Sequence, residues 1–377
     1  MGEFGFKYIV AKTFVGLEDL LEQELIDLGA KNILKLKRGV QCKYDKKLLY
    51  KINIESRYCL RALVSIEKFH AETPDELYQA ALQFQWEDYL DIKQTFAISS
   101  SIFSNCFKHS QYASLKLKDA VCDRFRKLKN DRPDINTDNP DILFNLHIKE
   151  NKVTISLDSS GESLHKRGYK QFQDIAPINE VLAAGLIGLT GWNRKDIFID
   201  GMCGSGTIAI EAAMMSINKA PNLDRNDFGF IHWRDFDKNL FEEIIEDATA
   251  KIIDRKESII AIDFDEKVVQ KAQRNINRAR LRQQIQVHKK NFLKFIPPHQ
   301  EGVCVLNPPY GERMEQEEID VFYKEIGDAF KQHFTLYTCG IISSNLDAMK
   351  KIGLKSKQKI NLMNGKLPCK FNIYEMY

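Results

Sequence analysis

The sequence predicts an α/β protein in which a doubly wound parallel sheet follows two small α+β modules. Beyond residue 160, apolar strand-like runs alternate with helical stretches, as they do when helices cover both faces of a parallel sheet. The first of these runs leads directly into a glycine-rich turn at 200–207. The third observation is length, since 377 residues exceed the roughly 100–200 residues of one typical domain.

The first module is expected to span 1–44 and to be ferredoxin-like. Its main feature is a helical stripe of leucines over 17–25, which Gly29 ends. The second module is expected over 45–159 as another compact α+β unit. Strand candidates in the two modules are 6–12, 33–37, 40–44, 60–69, 96–103, 142–148 and 153–157, and further helix candidates are 48–54, 75–84 and 112–128.

A third domain is expected over 160–377, after a short linker at 159–161. It ends in two strand candidates around Asn364-Gly365, a dipeptide typical of tight hairpin turns. Because the stretch from the glycine-rich turn to Asp263 exceeds the roughly 30 residues of a βαβ unit, 221–255 is interpreted as an insertion with its own helix. The strand candidates are 196–200, 259–263, 285–288, 303–306 and 335–343, and the helix candidates include 266–279 and 319–330.

Composition argues against several classes of protein. With 44% hydrophobic and 28% charged residues, the chain is an ordinary globular protein and not a disordered one. Its eight cysteines contain no C-x-x-C pair, which argues against a zinc site, an iron–sulfur centre or a disulfide framework, and we expect no metal. Since we find no signal peptide and no apolar run of about 18 residues, we expect a cytoplasmic protein without membrane contact.

The net charge of +3 is small, so any surface for nucleic acid must be local. Two runs, 31–51 and 271–294, each carry eight Lys or Arg, with one acid in the first run and none in the second. The helix predicted over 112–128 adds another group of cations. Each group is either a solvated face or a surface for phosphates, and the sequence leaves both interpretations open.

The glycine-rich turn reads Asp200-Gly201-Met202-Cys203-Gly204-Ser205-Gly206-Thr207 and is predicted to open a helix. Glycines let the backbone approach a ligand closely, and a helix start favours an anionic group. A dinucleotide-binding turn would have a third glycine in G-x-G-x-x-G, which is missing here, so NAD is disfavoured. Asp263, at the end of a later strand, could accept hydrogen bonds from two ribose hydroxyls, although capping of the next helix is an equal alternative that Asp265 fits better.

The third motif is Asn307-Pro308-Pro309-Tyr310, placed directly after the strand at 303–306. Open α/β sheets bind ligands at this edge. The two prolines stiffen the turn, so the Asn307 side chain and a backbone carbonyl are predicted to be fixed acceptors for the two N–H groups of an amine. Tyr310 would stack on an extruded base. The motif suits the exocyclic amine of adenine, cytosine or guanine equally well.

With these motifs in order, the last 210 or so residues resemble the Rossmann-like class I methyltransferase domain. The whole chain resembles the bacterial large-subunit ribosomal RNA (guanine-N(2)-)methyltransferases that carry an RNA-binding THUMP domain. The resemblance rests on 16–21, Leu164-His165-Lys166-Arg167-Gly168-Tyr169, Ala176-Pro177-Ile178-Asn179-Glu180, the turn at 203–207, 307–313 and Asn364-Gly365-Lys366-Leu367-Pro368-Cys369.

This resemblance implies that S-adenosyl-L-methionine is the cofactor and RNA the partner, with ribosomal RNA favoured and transfer RNA left open. The implied cofactor contacts are Asp200, Gly201, Cys203, Gly204, Gly206, Thr207, Asp263, Phe264, Asn291 and Phe292. The implied base-binding residues are Asn307, Pro308, Pro309 and Tyr310, and Lys166, Arg167, Tyr169 and Arg313 are expected beside the RNA. The chain departs from the family at Gly201, where proline is usual, and at Asn291, where an acid is usual.

The predicted reaction is therefore methylation of a guanine amine in RNA to N(2)-methylguanosine. Two alternatives remain open: methylation of an adenine amine in DNA or RNA, and a non-catalytic RNA-binding factor of ribosome assembly. The target RNA and nucleotide, the oligomeric state, protein partners and the role of 221–255 are not predicted.

Overall fold

The computed structural model describes residues 7–170, 178–309 and 316–377. Its strands are β1 (Tyr8–Lys12), β2 (Leu34–Leu36), β3 (Gly39–Lys43), β4 (Arg61–His70), β5 (Phe96–Phe103), β6 (Ile142–Lys149), β7 (Lys152–Asp158), β8 (Ile197–Asp200), β9 (Ile259–Asp263), β10 (Ile285–Lys289), β11 (Gly302–Leu306), β12 (Tyr337–Ser343), β13 (Gln358–Asn364) and β14 (Leu367–Glu375). Its helices are α1 (Glu18–Asp27), α2 (Lys46–Glu55), α3 (Pro74–Gln83), α4 (Ser110–Lys129), α5 (Glu180–Leu189), α6 (Thr207–Ser216), α7 (Lys238–Ala250), α8 (Glu266–Arg278), α9 (Gln316–His333) and α10 (Leu346–Lys351).

The two N-terminal modules share one seven-stranded sheet with the order β2-β3-β1-β4-β7-β6-β5. They meet where β1 pairs antiparallel with β4. One row of buried side chains crosses this junction, because Ile9 lies opposite Val64, and Val64 lies opposite Leu157. The modules were predicted as separate units, so the continuous sheet is a feature that local sequence patterns did not indicate.

The C-terminal domain has a second seven-stranded sheet, ordered β10-β9-β8-β11-β12-β14-β13. Strands β8 to β12 are parallel, and β14 joins β12 antiparallel. This confirms the predicted doubly wound sheet and closing hairpin. Since β8 and β11 are neighbours although β9 and β10 intervene in the chain, the strand order reverses between them, which is where open α/β sheets bind ligands.

The segment at 159–161, predicted as a linker, is a buried connection between the front modules and this domain. Ser159 and Ser160 are fully inaccessible. The Asn53 amide on α2 donates to Ser159 Oγ at 2.9 Å, and Ser160 Oγ donates to Asn53 Oδ1 at 2.8 Å. One hydrophobic core also runs across the junction, and Leu17 lies so close to α5 that a Cβ at Gly185 would sit 2.5 Å from its Cδ1.

The insertion at 221–255 contains α7, as predicted, and it packs against the front modules. Tyr50 of α2 stacks on Phe230 with ring centroids 4.3 Å apart. Arg225 donates to the carbonyls of Ser160 and Glu162, at 2.8 Å in each case. Arg234 pairs with Asp91 of the second module at 3.0 Å. The insertion therefore joins all three parts of the chain.

Candidate functional site

The glycine-rich turn between β8 and α6 lies against α8. Gly204 and Gly206 have positive φ angles of 53° and 84°, a backbone region that favours glycine. A Cβ at Gly206 would lie 3.3 Å from the Cβ of Ala272 on α8. The Asn275 amide, also on α8, donates to the carbonyl of Ser205 at 3.0 Å. Helix α8 thus holds the turn in place from one side.

Asp200 is fully buried behind this turn. Its Oδ2 accepts a hydrogen bond at 3.0 Å from the backbone N–H of Ala209, in the first turn of α6, where four N–H groups lack helical partners. Its Oδ1 is buried without a partner among the described residues. Burial raises the pKa of Asp200 to about 8, because low-dielectric surroundings disfavour the charged form.

Asp263 ends β9 and contacts the same turn. Its Oδ2 accepts from the Gly204 N–H and its Oδ1 from the Asp265 N–H, both at 3.1 Å. Burial raises its pKa. Asp265 is the residue that caps α8, accepting from the Lys267 N–H at 2.8 Å. Helix capping is therefore the role of Asp265, and Asp263 has acceptor sites left for two ligand hydroxyls, since a carboxylate has about four.

Two predicted cofactor contacts follow neighbouring strands at the same edge. Phe264 has 75% of its surface exposed beside Asp263, so its ring is available to cover a flat ligand. Asn291 is exposed, and its Oδ1 accepts from the Leu293 N–H at 2.9 Å. That oxygen can accept one more hydrogen bond.

Phe292 was expected to contact the cofactor, but its ring belongs to the core. It is 3% exposed and packs against Phe334 and Phe330 with centroids 5.3 and 5.8 Å away. With its ring in the core, Phe292 offers only its main chain to a ligand. The ring also explains the glycine at 201, where a Cβ would lie 2.7 Å from Phe292 Cδ2 and 2.4 Å from Leu306 Cδ2.

Asn307 and Pro308 follow β11 at the carboxyl edge of the sheet. Since Val305 of β11 lies opposite Asp200 of β8, Asn307 comes two residues beyond the level of Asp200, next to the glycine-rich turn. Pro308 is buried and Pro309 exposed. Tyr310 and Arg313 lie outside the described residues. The parts of the predicted site that the structure describes, Asp200, 203–207, Asp263, Phe264, Asn291 and 307–309, therefore share one edge.

Two of the residues expected beside RNA are interior residues. Arg167 is 5% exposed and donates to the carbonyls of Leu164 and Arg57 at 2.6 and 2.8 Å. Tyr169 is also 5% exposed, and its hydroxyl donates to Glu211 of α6 at 2.9 Å. Burial removes both from an RNA surface, so this expectation was wrong. Lys166 is exposed and pairs with Glu162.

The cations of α4 are largely neutralised. Lys116 pairs with Asp75 and Arg124 with Glu87, at 2.8 and 2.5 Å. Lys118 and Arg126 pair with neighbouring aspartates on α4 itself. These pairs favour the interpretation of a solvated face over that of a phosphate-binding one.

Within residues 7–170, 178–309 and 316–377, no three His, Cys, Asp or Glu side chains are grouped to hold a metal ion. No helix in them is long and apolar enough to cross a membrane.

Family models match all three parts of the chain. An RlmL ferredoxin-like domain matches 8–63, a THUMP domain 71–158, and an RMKL-like methyltransferase domain 167–373. The first match ends at 63, within β4, and not at the predicted boundary of 44.

Curated relatives match nearly the whole chain. The slr0064 protein of Synechocystis sp. (PCC 6803), provisionally named an RNA methyltransferase, is 36% identical over 96% of this chain and 95% of its own length. The ribosomal RNA large subunit methyltransferase K/L of Desulfotalea psychrophila is 36% identical over 96% of this chain and 52% of its own length. The chain thus spans about half the length of that larger relative.

Solved structures share the architecture. SMU.472, crystallised in complex with S-adenosylhomocysteine (SAH), superimposes with a TM-score of 0.89 at 27% identity and covers 99% of both chains. A Listeria monocytogenes protein, named a predicted N6-adenine-specific DNA methylase, has a TM-score of 0.87 at 28% identity and covers 99% of this chain and 96% of its own. The glycine-rich turn, the acid at the end of β9 and this likeness to an SAH complex identify S-adenosylmethionine as the cofactor. The chain belongs to the RMKL-like methyltransferase family and is a class I methyltransferase with RlmL ferredoxin-like and THUMP domains.

Proposed function

We propose that this chain transfers a methyl group from S-adenosylmethionine to the exocyclic amine of a guanine in ribosomal RNA, giving N(2)-methylguanosine. The observation that carries the proposal is the position of Asn307, two residues beyond the level of Asp200 and beside the turn that Asp263 contacts. An amine acceptor and a cofactor-binding edge are thereby adjacent, as direct transfer of a methyl group requires.

The cofactor fits the described residues. Gly204 and Gly206 provide a close backbone surface, Asp263 the ribose acceptors, and Phe264 and Asn291 the adenine contacts, with the Phe292 main chain beside them. Gly201, Cys203 and Thr207 border the same turn. When bound, S-adenosylmethionine would supply an electrophilic methyl group and leave as SAH after its S–CH3 bond breaks, and the target amine would release one proton as its N–CH3 bond forms.

Asn307 acts on the target amine. A nucleobase amine is a poor nucleophile because its lone pair is delocalised into the ring. The Asn307 side chain and a neighbouring carbonyl, held by Pro308 and Pro309, accept the two N–H groups and so localise the lone pair toward the methyl group. The sequence-based roles of Tyr310, stacking on the base, and of Arg313, contacting the RNA strand, are part of the proposal, although both residues lie outside the described ones. Lys166 is an exposed cation for the same strand.

The front modules and the relatives favour RNA over DNA, and the resemblance noted in the sequence favours guanine over adenine. A THUMP domain and a ferredoxin-like module precede the catalytic domain, and the K/L relative is named for ribosomal RNA. Adenine is the second candidate, because the Listeria protein carries an adenine-specific name and the Asn307 motif suits either amine. Transfer RNA is the alternative substrate.

The test is a methyl-transfer assay on ribosomal RNA that lacks modifications, followed by digestion and mass spectrometry of the nucleosides. N(2)-methylguanosine should appear, and Asn307→Ala should lower kcat by about 10²–10³-fold, the size of effect seen when one acceptor or donor for the reacting group is removed. SAH binding should be unchanged in this variant. Appearance of methyladenosine, or transfer to duplex DNA and not to RNA, would overturn the proposal.

A further inference from the structure

The closing hairpin of β13 and β14 rises beyond the edge of the C-terminal sheet that carries Asn307. The last pair between β12 and β14 is Ser343 with Lys370. Strand β14 continues past this pair to Leu367, and β13 remains paired with it up to Asn364. Because β12 is parallel to β11, Ser343 marks the carboxyl edge. Three residues at about 3.3 Å each place the end of the hairpin about 10 Å above that edge.

The end of the hairpin, residues 364–367 (the hairpin tip), stands in open space. Gly365 has a φ of 61°, and no described atom lies within 4 Å of where its Cβ would be. Lys366 is exposed, and no carboxylate of the described residues pairs with it. Leu367 has 48% of its surface exposed. Pro368 lies beyond the last pair with β12. Because proline has no N–H, β14 has no backbone donor left unpaired at this position.

The hairpin is held from the side by the ferredoxin-like module. Gly16, in the loop between β1 and α1, approaches β13 so closely that a Cβ would lie 2.7 Å from the Asn361 carbonyl oxygen and 2.8 Å from Leu362 Cδ2. Leu362 is 2% exposed at this contact. Because the hairpin is held in place, less conformational entropy is lost when a ligand binds at its exposed lysine than when one binds at a loose surface loop.

We propose that the hairpin tip is a wall of the RNA site, with Lys366 contacting a phosphate next to the target nucleotide and Leu367 packing on its sugar or base. This rests on the proposed function. Strand β14 lies two strands from β11, or about 10 Å across the sheet. The tip stands about 10 Å above the edge, which is a similar distance. RNA that places a base at Asn307 therefore passes within reach of the tip. Lysine on a phosphate adds salt-sensitive affinity without reading sequence.

The test compares two lysines of the same hairpin. Lys366→Glu changes the tip, and Lys359→Glu is the matched control. Lys359 is also exposed, on β13 opposite Asn372, but lies five residues, or about 17 Å, below the tip. Both variants are checked for an unchanged melting temperature and unchanged SAH binding. Binding to a large-subunit ribosomal RNA transcribed in vitro is then measured over a series of salt concentrations, together with KM and kcat for methylation.

Lys366→Glu should weaken RNA binding by about tenfold and raise KM, with kcat at saturating RNA unchanged. Lys366→Ala should reduce the slope of log affinity against log salt by about 0.7, the value for one phosphate of a single strand. Lys359→Glu should leave both quantities near wild type. Equal effects of the two substitutions, or no effect of either on a chain that methylates the RNA, would overturn the role of the tip. Because binding is measured without turnover, this outcome is separate from the identity of the methylated base.

Discussion

The carboxylate of Asp263 accepts a hydrogen bond from the Gly204 N–H at 3.1 Å, so the end of β9 and the turn after β8 are one unit. Asp263 therefore supports the turn through this bond, and its remaining acceptor sites are the ones proposed to bind the ribose. Asp263→Ala should weaken SAH binding by about 1.5–3 kcal/mol, the cost of losing hydrogen bonds to a charged group. Asp263→Asn should lose less, since its amide oxygen can still accept from Gly204. Calorimetry with SAH measures both, and equal losses would show that the turn contact contributes nothing.

Gly206→Ala should lower both stability and cofactor affinity. Its φ of 84° strains an alanine, and the new Cβ would press on Ala272. The matched control is Gly191→Ala, at a φ of 72° with no described atom within 4 Å. Both variants should lose about 1–3 kcal/mol of unfolding free energy. Only Gly206→Ala should bind SAH more weakly, and a similar loss of binding in Gly191→Ala would contradict a local effect.

These supports for the turn could be predicted only in part. The glycines and Asp263 are visible because each lies next to a strand in a short local pattern. Asn275 was missed, since its contact with Ser205 joins residues 70 positions apart. The only signal was a polar residue on the buried stripe of an amphipathic helix. The pairing of β1 with β4 was missed for the same reason, because it depends on two modules meeting.

Asp200 should make the stability of the chain depend on pH. Its pKa is raised to about 8 by burial, against about 3.9 for an unfolded aspartate. Between these values the folded chain keeps a proton that the unfolded chain has released, so the free energy of unfolding falls as pH rises from about 4 to 8. Asp200→Asn removes this contribution, so the free energy of unfolding of the variant should fall less steeply over this pH range. Urea unfolding at several pH values measures this free energy. Parallel plots of free energy against pH for the wild type and Asp200→Asn would refute the prediction.

The three parts of the chain should unfold together. Tyr50 is 2% exposed and stacks on Phe230 of the insertion, and its hydroxyl accepts from the Asp237 N–H at 3.0 Å. Tyr50→Ala should cost about 3–5 kcal/mol, as other deletions of a buried aromatic ring do, and it should lower the melting temperature of the whole chain. Calorimetry that resolved two transitions, with only the earlier one shifted, would show that the front modules are independent of the catalytic domain.

Substitutions of Arg167 and Lys166 should have different effects, because Arg167 is an interior residue and Lys166 a surface residue of the same basic segment. A run of Lys-Arg-Gly-Tyr reads as an RNA-binding surface, and nothing local indicates that its arginine is interior. The structure places Arg167 Nε 3.7 Å from Glu211 Oε1 on α6, with both side chains at 1% exposure or less. Arg167→Ala would leave the Glu211 carboxylate buried without its cation, which costs about 3–5 kcal/mol in comparable pairs.

Lys166→Ala, on the exposed neighbour, should leave the melting temperature unchanged and reduce the salt dependence of RNA binding if the lysine contacts a phosphate. Arg167→Ala should instead lower the melting temperature, and below that temperature its salt slope for RNA should match wild type, because no phosphate contact is lost. Thermal unfolding and RNA titration over a salt series measure the two effects. An Arg167→Ala protein that melts like wild type but has a reduced salt slope would return this arginine to the RNA surface.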